Sequence, residues 1–249
     1  MKKNLLKHYV VNRLKSIEQN LSIYIQDKKP ESLHHLRVEI KKIKAVFSFS
    51  KKVYKEKYNT AKLKPLFNKA GKIRETQINI HLLGLFPYPP EKLIEQLKKK
   101  EYILTLLFVK CSSRYVRLIK EFRKNICLPK ILPNKKRINK YFKKEKQKAN
   151  KKLKNNDRKD LHRYRTKIKK LMYVYNFLPK KTQKEMELNE TEINKQQGML
   201  GDWHDTYSTT NFLSHEYLPM KTAENVVKLK EKEKRQFDVL LRTLPKNPI

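Results

Sequence analysis

The sequence predicts an all-α protein, and three observations support this prediction. Apolar side chains recur at steps of three and four residues along most of the chain, the period of a helix with one buried face. The 249 residues include only 4 glycines, fewer than the turns of a sheet or barrel usually need. No stretch shows the alternating apolar and polar residues of a half-buried strand.

Prolines divide this helical pattern into eight predicted helices. Two of them hold a repeated motif and are described next, and the other six are expected at roughly 3–26, 59–84, 91–125, 137–153, 184–214 and 221–242. The breaks fall at proline-containing positions: 87–90, 129–133, 179 and 219. Four helices then lie on each side of a linker near 128–136. We therefore expect one domain over 1–249, made of two halves, 1–130 and 131–249.

The first motif helix has a recognisable start and a recognisable buried face. Pro30 and Glu31 suit a first helical turn, because proline loses no hydrogen bond there and a carboxylate favours the positive end of the helix dipole. The apolar positions then recur at helical spacing, at Leu33, Leu36, Ile40, Ile43 and Phe47. This stripe is expected to face the core.

The second motif helix shows the same features in the second half of the chain. Asn156 and Asp157 precede it, and both are residue types that cap helix N-termini. Its apolar stripe consists of Leu161, Tyr164, Ile168, Leu171 and Tyr175.

The two halves resemble each other in two pairs of segments. "LHHLRVEIKK" (33–42) is similar to "LHRYRTKIKK" (161–170), and "AGKIRETQ" (70–77) aligns with "LGDWHDTY" (200–207). The second alignment pairs Gly71 with Gly201, Ile73 with Trp203, Arg74 with His204, and Glu75 with Asp205. Similar segments in the same order in both halves predict an internal repeat.

The charge of the chain predicts a polyanionic partner. Lys and Arg total 61 against 24 Asp and Glu, a formal net charge of +37. A bias of codon usage explains the excess of Lys over Arg, but the same bias should also raise Glu. Nucleic acid, polyphosphate and an anionic membrane all match the sign. Neither 75–91 nor 196–220 contains Lys or Arg, so the charge is expected on particular faces.

The remaining composition favours a soluble cytoplasmic protein. Lys7 and His8 interrupt the N-terminal apolar residues, so no signal peptide is predicted. No apolar run is long enough to span a bilayer. Cys111 and Cys127 form neither a metal-binding spacing nor a disulfide framework, which fits a reducing compartment.

Residues three and four apart share one face of a helix, so each motif helix presents a row of cations. The first cation row is His34, Arg37, Lys41 and Lys44, with Lys42 at its flank. The second cation row is His162, Arg165 and Lys169, with Lys170 at its flank and Met172 where a fourth cation would stand. A spacing of about 5–6 Å suits a chain of phosphates. The alternative is a solvated basic face, as we expect for the lysine run 143–154.

The histidines of the rows have two interpretations. A histidine beside an apolar stripe is often a capping or core residue. However, His34 and His162 lie early in their helices, where backbone N–H groups favour an anion. We therefore interpret both as phosphate donors.

The pair His204–Asp205 raises the alternative of a metal-dependent phosphohydrolase. The aligned pair in the first half is Arg74–Glu75, and a guanidinium is not a metal ligand. We instead expect Arg74 and His204 to add cations, while the two carboxylates orient neighbouring basic side chains. The sequence predicts no metal, no cofactor and no catalytic residue.

At these residues the chain resembles the CHAD family, the conserved histidine α-helical domain. The family pattern H-x-L-R-V-x-x-R-R-x-R is matched, with Lys for Arg, by His34, Leu36, Arg37, Val38, Lys41, Lys42 and Lys44. L-G-x-x-R-D is matched by Gly71, Arg74 and Glu75. The later patterns are matched by His162, Arg165, Lys169, Lys170 and Tyr173, and by Gln197, Leu200, Gly201, His204 and Asp205. The chain departs from the patterns at Ala70, Gln77 and Met172.

The resemblance implies two four-helix bundles related by pseudo-twofold symmetry. It also implies that basic residues of both halves line a groove that binds inorganic polyphosphate without catalysis. Some members accompany a triphosphate-hydrolysing CYTH domain, whose E-x-E-x-K signature is not found here, so a stand-alone binder is expected, in the cytoplasm and at polyphosphate granules. The expected binding residues are His34, Arg37, Lys41, Lys42, Lys44, Arg74, His162, Arg165, Lys169, Lys170 and His204.

Sequence-nonspecific binding of nucleic acid, above all RNA, is the alternative function. Phosphate contacts alone bind any nucleic-acid backbone. The chain nevertheless lacks an RNP-like strand motif and a zinc finger. Its single tryptophan, Trp203, lies in the uncharged stretch and is expected in the core. A structural role without a polyanion is the third interpretation, and no membrane partner is expected.

Overall fold

The computed structural model describes residues 4–153, 157–186, 188–214 and 220–244, and every regular element within these ranges is a helix. This confirms the all-α prediction. In chain order the helices are α1 Leu5–Asp27, α2 Pro30–Tyr54, α3 Lys64–Gly84, α4 Glu91–Lys110, α5 Ser112–Lys124, α6 Lys135–Asn150, α7 Arg158–Phe177, α8 Lys180–Lys184, α9 Glu190–Leu213 and α10 Met220–Thr243. Single 3-10 turns, Ala61–Leu63 and Lys151–Leu153, precede α3 and follow α6.

Eight helices were predicted and the described residues contain ten, because the helix expected at 91–125 is divided in two and the short helix α8, Lys180–Lys184, was not predicted. The helix expected from 59 begins at Lys64, after a single 3-10 turn. The helix expected at 91–125 is interrupted at Cys111, whose backbone (φ −89°, ψ 4°) leaves helical geometry before α5. No proline or glycine stands at this break, which is why the prediction missed it. The helix expected from 184 begins instead at Glu190, because the Asn189 side chain accepts a hydrogen bond from the Glu192 amide (3.0 Å) and caps α9.

Both motif helices form as predicted. Pro30 occupies the first turn of α2, and the five stripe residues of α2 are buried. Asp157 accepts a hydrogen bond from the Asp160 amide (2.7 Å) and caps α7, whereas Asn156 lies outside the described residues. The five stripe residues of α7 are also buried. The helical period therefore identified the buried face correctly in both copies.

The contacts divide the chain into two compact units that do not coincide with sequence halves. Unit 1 comprises 1–75, 101–143 and 170–186, and unit 2 comprises 76–100, 144–169 and 187–249. Because the boundaries fall inside α3, α4, α6 and α7, each of these helices contributes residues to both units. The division of the chain into halves at 130 stays a prediction about the repeat.

Unit 1 is built around the pairing of α1 with α2. One face of α1 is fully buried: Leu6, Val10, Leu14, Ile17, Leu21 and Tyr24. A carboxylate is also buried between these helices. Glu39 pairs with Arg13 of α1 (2.9 Å) and with Lys42 of its own helix (2.7 Å). The two cations compensate a charge that would otherwise be costly to bury.

The two stretches without Lys or Arg contribute to the core of unit 2. Leu83 of α3 and Leu213 of α9 belong to one apolar cluster together with Leu97 and two residues of α10. In the same unit Thr209 donates a buried hydrogen bond to Asn79 (2.9 Å), and these two residues occupy equivalent positions in the aligned halves. At the buried positions of these stretches a lysine would place an unpaired charge in the core.

Trp203 is completely buried in unit 2, as the sequence predicted. Its indole N–H donates to Glu233 of α10 (2.7 Å). Arg158 of α7 donates to both oxygens of the same carboxylate (2.8–3.1 Å). Glu233 therefore ties three helices together through one buried anion.

We expect Glu233→Ala to lower the free energy of unfolding by about 2–4 kcal/mol, because it leaves the Trp203 N–H buried without an acceptor and removes the partner of Arg158. Glu233→Gln retains one acceptor and should cost less. Urea denaturation followed by circular dichroism measures both. Glu95→Ala, which breaks an exposed pair with Lys99, is the control and should change little. Equal effects of Glu233→Ala and Glu95→Ala would contradict the role of the buried network.

Candidate polyanion-binding site

The first cation row lies on α2 in unit 1, and its arginine is held in place by α3. Arg37 donates a hydrogen bond from Nη1 to the backbone carbonyl of Phe67 (2.6 Å). Its guanidinium lies 4.4 Å from the centre of the Phe67 ring, and the ammonium of Lys44 lies 3.9 Å from the same centre. Cation–π attraction therefore gathers two cations over one ring.

Gly71 of α3 makes this placement of Arg37 possible. A methyl group at Gly71 would overlap Nη1 of Arg37 and lie 3.1 Å from its Cζ. The guanidinium thus rests directly on the helix backbone, where any side chain would displace it. Gly71, from the segment 70–77, and Arg37, from the segment 33–42, therefore pack directly against each other.

The cations of the first row are close enough to repel one another. Burial lowers the pKa of Arg37, the Glu75 carboxylate opposes this effect, and Arg74 adds to it. Burial also lowers the pKa of Lys44, and the cations of Arg37 and Lys64 lower it further. A bound anion would relieve this repulsion.

Arg74 contributes the additional cation predicted from α3. It is half-buried, and its charge lowers the pKa of Arg37, so the two guanidinium groups interact. The Nε–H of Arg74 is hidden from solvent and has no hydrogen-bond partner among the described residues. His34, at the start of the row, is exposed.

The second cation row lies on α7 in unit 2 and is joined there by His204 of α9. The imidazole rings of His162 and His204 stack at 4.7 Å between centres, with 28° between their planes. Nδ1 of His204 lies 3.5 Å from Oδ1 of Asp205. Arg165 again faces a glycine, because a methyl group at Gly201 would lie 4.0 Å from its Nη2. Arg165 and Gly201 therefore repeat the arrangement of Arg37 and Gly71, but the guanidinium lies farther from the glycine.

The charged forms of this second set are also disfavoured in the free protein. Partial desolvation lowers the pKa of His162, and the neighbouring His204 and Arg165 lower it further. Burial and the charge of Arg165 lower the pKa of Lys169, against the opposing effect of Asp205. The carboxylate of Glu75 thus favours the charged form of Arg37, and the carboxylate of Asp205 favours the charged form of Lys169.

Three positions show that the two cation rows are not equivalent. Lys42 points away from its row and is ion-paired with Glu39. Lys170 belongs to unit 1, where its ammonium donates to the hydroxyl of Ser48 on α2. Met172, at the position of a fourth cation, is buried. The second row is therefore shorter than the first.

Phe67 is the residue that the sequence analysis missed. The same alignment that pairs Gly71 with Gly201 pairs Phe67 with Gln197. Lys44, which lies over Phe67, is likewise replaced by Met172 in the second copy. The second copy therefore lacks both the cation and the aromatic ring. This paired difference between the two copies is the sequence feature that could have identified Phe67.

Within the described residues, no three His, Cys, Asp or Glu side chains are grouped as metal ligands would be. None of the described helices is both long enough and apolar enough to cross a membrane.

Comparisons with known proteins identify the family. The model of the CHAD domain matches residues 8–214, so this chain belongs to the CHAD family. The fold is similar to the crystal structure of the CHAD domain from the plant Ricinus communis, with a TM-score of 0.65 and 17% identity over 94% of this chain and 83% of that chain. No curated protein matches the chain. The similarity of structure supports the fold, and the family model agrees with the motifs.

Gly71→Ala and Gly201→Ala should behave differently although both add one methyl group to a helix. At Gly71 the methyl displaces Arg37 from Phe67, which costs about 1.5–3 kcal/mol for the charge-assisted hydrogen bond and regains about 1 kcal/mol of helix propensity. At Gly201 there is space, so up to about 1 kcal/mol of stability is gained. Thermal unfolding measures both effects. A stabilisation of equal size at Gly71 would show that Arg37 is not held there.

Proposed function

We propose that this protein binds inorganic polyphosphate through its two cation rows, without catalysis. The observation that most supports the proposal is the repeated seating of an arginine against a helix glycine. Arg37 rests on Gly71 and the ring of Phe67, and Arg165 faces Gly201. Cations fixed by packing lose less conformational entropy on binding than mobile surface lysines do. The family assignment agrees with this proposal and does not by itself identify the ligand.

The chemistry of the rows favours polyphosphate over nucleic acid. Proteins that hold single-stranded nucleic acid stack bases on exposed aromatic rings beside a basic groove. Beside the first row, the Phe67 ring is covered by Arg37 and Lys44, and in unit 2 Trp203 is fully buried. Trp203 therefore offers no face to a base, and at Phe67 two cations already occupy positions close to the ring. A polymer of phosphate alone needs no such face.

A competition experiment at physiological salt tests the proposal. Labelled long-chain polyphosphate is bound to the protein and displaced by unlabelled polyphosphate, single-stranded RNA or duplex DNA at equal phosphate concentration. Polyphosphate should be the best competitor, and its affinity should fall steeply as salt rises, because binding releases counterions. RNA as the better competitor would favour the nucleic-acid alternative instead.

We expect no hydrolysis. Purified protein incubated with magnesium or manganese should release no orthophosphate from polyphosphate, triphosphate or nucleotides. A contaminating phosphatase is distinguished with the His204→Ala variant. Turnover that this variant abolishes would revive the phosphohydrolase alternative, whereas turnover that persists in the variant belongs to a contaminant.

The proposed ligand also predicts a location. We expect the protein in the cytoplasm and at polyphosphate granules. A fluorescent fusion should colocalise with a polyphosphate stain and should disperse when the cells lack polyphosphate. An unchanged distribution would contradict this part of the proposal.

A further inference from the structure

The cationic face of α2 continues beyond the first row. Ser48 and Lys51 follow Lys44 at steps of four and three residues, so they lie on the same face of the helix. The segment after α2 brings Lys57 and Thr60 to this face. Together with Phe47 and Tyr58, these residues enclose a pocket of about 290 Å³, which we name the end pocket.

The lining of the end pocket suits a compact anion. Its ammonium groups come from Lys44, Lys51 and Lys57. No lining residue carries a carboxylate, but the hydroxyl of the lining residue Tyr58 donates to the carboxylate of Glu56, so the cations at the pocket still outnumber the anions. Lys170 adds a fourth ammonium by donating to the hydroxyl of Ser48. The hydroxyls of Ser48 and Thr60 supply further hydrogen-bond donors.

Several of these charges are not compensated by the protein. Neither Lys51 nor Lys57 forms an ion pair within the part of the chain that the structure describes, and both are exposed. Lys44, which belongs to both the first row and the pocket, experiences the repulsion of Arg37 and Lys64. Positive charge is therefore more concentrated at this end of α2 than in a row with one cation per turn.

This concentration matches the charge distribution of a linear polyphosphate. Each interior phosphate has one ionisable oxygen and carries one negative charge. A terminal phosphate has a second ionisation, and for phosphate monoesters that pKa is about 6, so the group carries about −1.5 to −2 at pH 7. Lysine ammonium groups act as compact point charges and suit such a doubly charged group.

We propose that the end pocket binds the terminal phosphate of a polyphosphate whose interior lies along the first cation row. The protein then holds the polymer by its end and not only along its length. The inference rests on the proposed function for the interior of the chain. The pocket itself makes a separate prediction, namely that short oligomers, which consist mostly of ends, also bind.

The test uses Lys51→Gln combined with Lys57→Gln and two kinds of probe. The first probe is inorganic tripolyphosphate. The second is polyphosphate of one defined length, either with free ends or with both ends blocked as phosphoramidates. The matched control is Lys143→Gln combined with Lys144→Gln, which removes two exposed lysines of α6. Circular dichroism and thermal unfolding verify that all variants fold, and isothermal titration calorimetry measures affinity.

The natural sequence should bind tripolyphosphate and should prefer free ends to blocked ends. The end-pocket variant should bind tripolyphosphate roughly tenfold more weakly, because two phosphate contacts are lost, and should no longer distinguish the two kinds of ends. The control variant should retain both properties. Equal affinity of the natural sequence for free and blocked ends would overturn the inference while leaving polyphosphate binding intact. Failure to bind any polyphosphate would instead overturn the proposed function.

Discussion

Replacing both Arg37 and Lys41 with glutamate should weaken the binding of long polyphosphate by roughly ten- to a hundredfold at physiological salt, because two phosphate contacts become repulsions. Replacing Arg165 and Lys169 with glutamate should also weaken binding severalfold, and by less than the first pair. The first row has more cations, and Phe67 fixes two of them, whereas Met172 shortens the second row. Filter binding or fluorescence anisotropy measures the affinities.

The salt dependence separates a specific contact from general attraction. Each phosphate contact contributes about 0.7–0.9 to the slope of log K against log salt, as for nucleic acids, so each double variant should lower the slope by more than about 1. The control replaces the exposed Lys143 and Lys144 with glutamate, the same change of net charge. If the control loses as much affinity as the row variants, binding is diffuse, and the repeated motif reflects packing and ancestry.

Chain length distinguishes two independent rows from two rows that bind one polymer. A polymer long enough to reach both sites binds the second row at a high effective concentration once it occupies the first. Each double variant should therefore weaken a long chain strongly. A short oligomer held by the first row should respond to the Arg37 and Lys41 variant alone.

The affinity of the second cation row should increase as the pH falls from about 7.5 to 5.5. Partial desolvation, together with the neighbouring His204 and Arg165, lowers the pKa of His162, so the free protein favours the neutral imidazole. A polyanion favours the protonated form and raises that pKa. Binding therefore takes up protons, and the affinity must rise with acidity over the range in which His162 titrates.

The measurement compares the natural sequence with His162→Gln combined with His204→Gln. The ligand is a long chain with both ends blocked, because its interior phosphates stay ionised throughout this range whereas a free terminal phosphate titrates within it. Changes of affinity then report on the protein. The double variant should lose most of the pH dependence, whereas His81→Gln, an exposed histidine of α3, should retain it. An unchanged pH dependence in the double variant would contradict protonation of His162 as the cause.

The lowered pKa of His162 also affects the stability of the free protein. Acid increases the affinity for the polyanion but decreases the stability of the protein without ligand. The pKa of His162 in the folded protein lies below its value in the unfolded chain, so the unfolded state takes up the proton first. The contribution of His162 to stability is complete above the unfolded pKa and is lost as the pH falls through the folded pKa. Acid should therefore destabilise the free protein, and polyphosphate should reduce or reverse this loss in thermal unfolding.

Patterns that depend on one helix were predictable from the sequence. The buried stripes of α2 and α7, and the arginines of both rows, follow from helical spacing alone. Features that depend on a second helix were not. The seating of Arg37 on Phe67 and Gly71, and the contact of Lys170 with Ser48, require the packing of separate helices and the rotamers of long side chains.

The break at Cys111 illustrates a different limit. Neighbouring residues have ordinary helix propensities, so no local rule separates α4 from α5 there, and tertiary packing decides the boundary. In contrast, the start of α9 could have been found. The residues Asn189 and Glu192 form the sequence signature of a capped N-terminus, and the hydrogen bond between them is present.

The burial of the single tryptophan gives the protein an intrinsic optical reporter. Trp203 is the one indole among 249 residues, it is stacked on Tyr207 at 5.4 Å between ring centres, and its ring lies 6.4 Å from that of His204. Indole emission responds to nearby charge, so arrival of a polyanion beside His204 should change the fluorescence of an unlabelled sample. Selective excitation of the indole therefore follows occupancy of the second row.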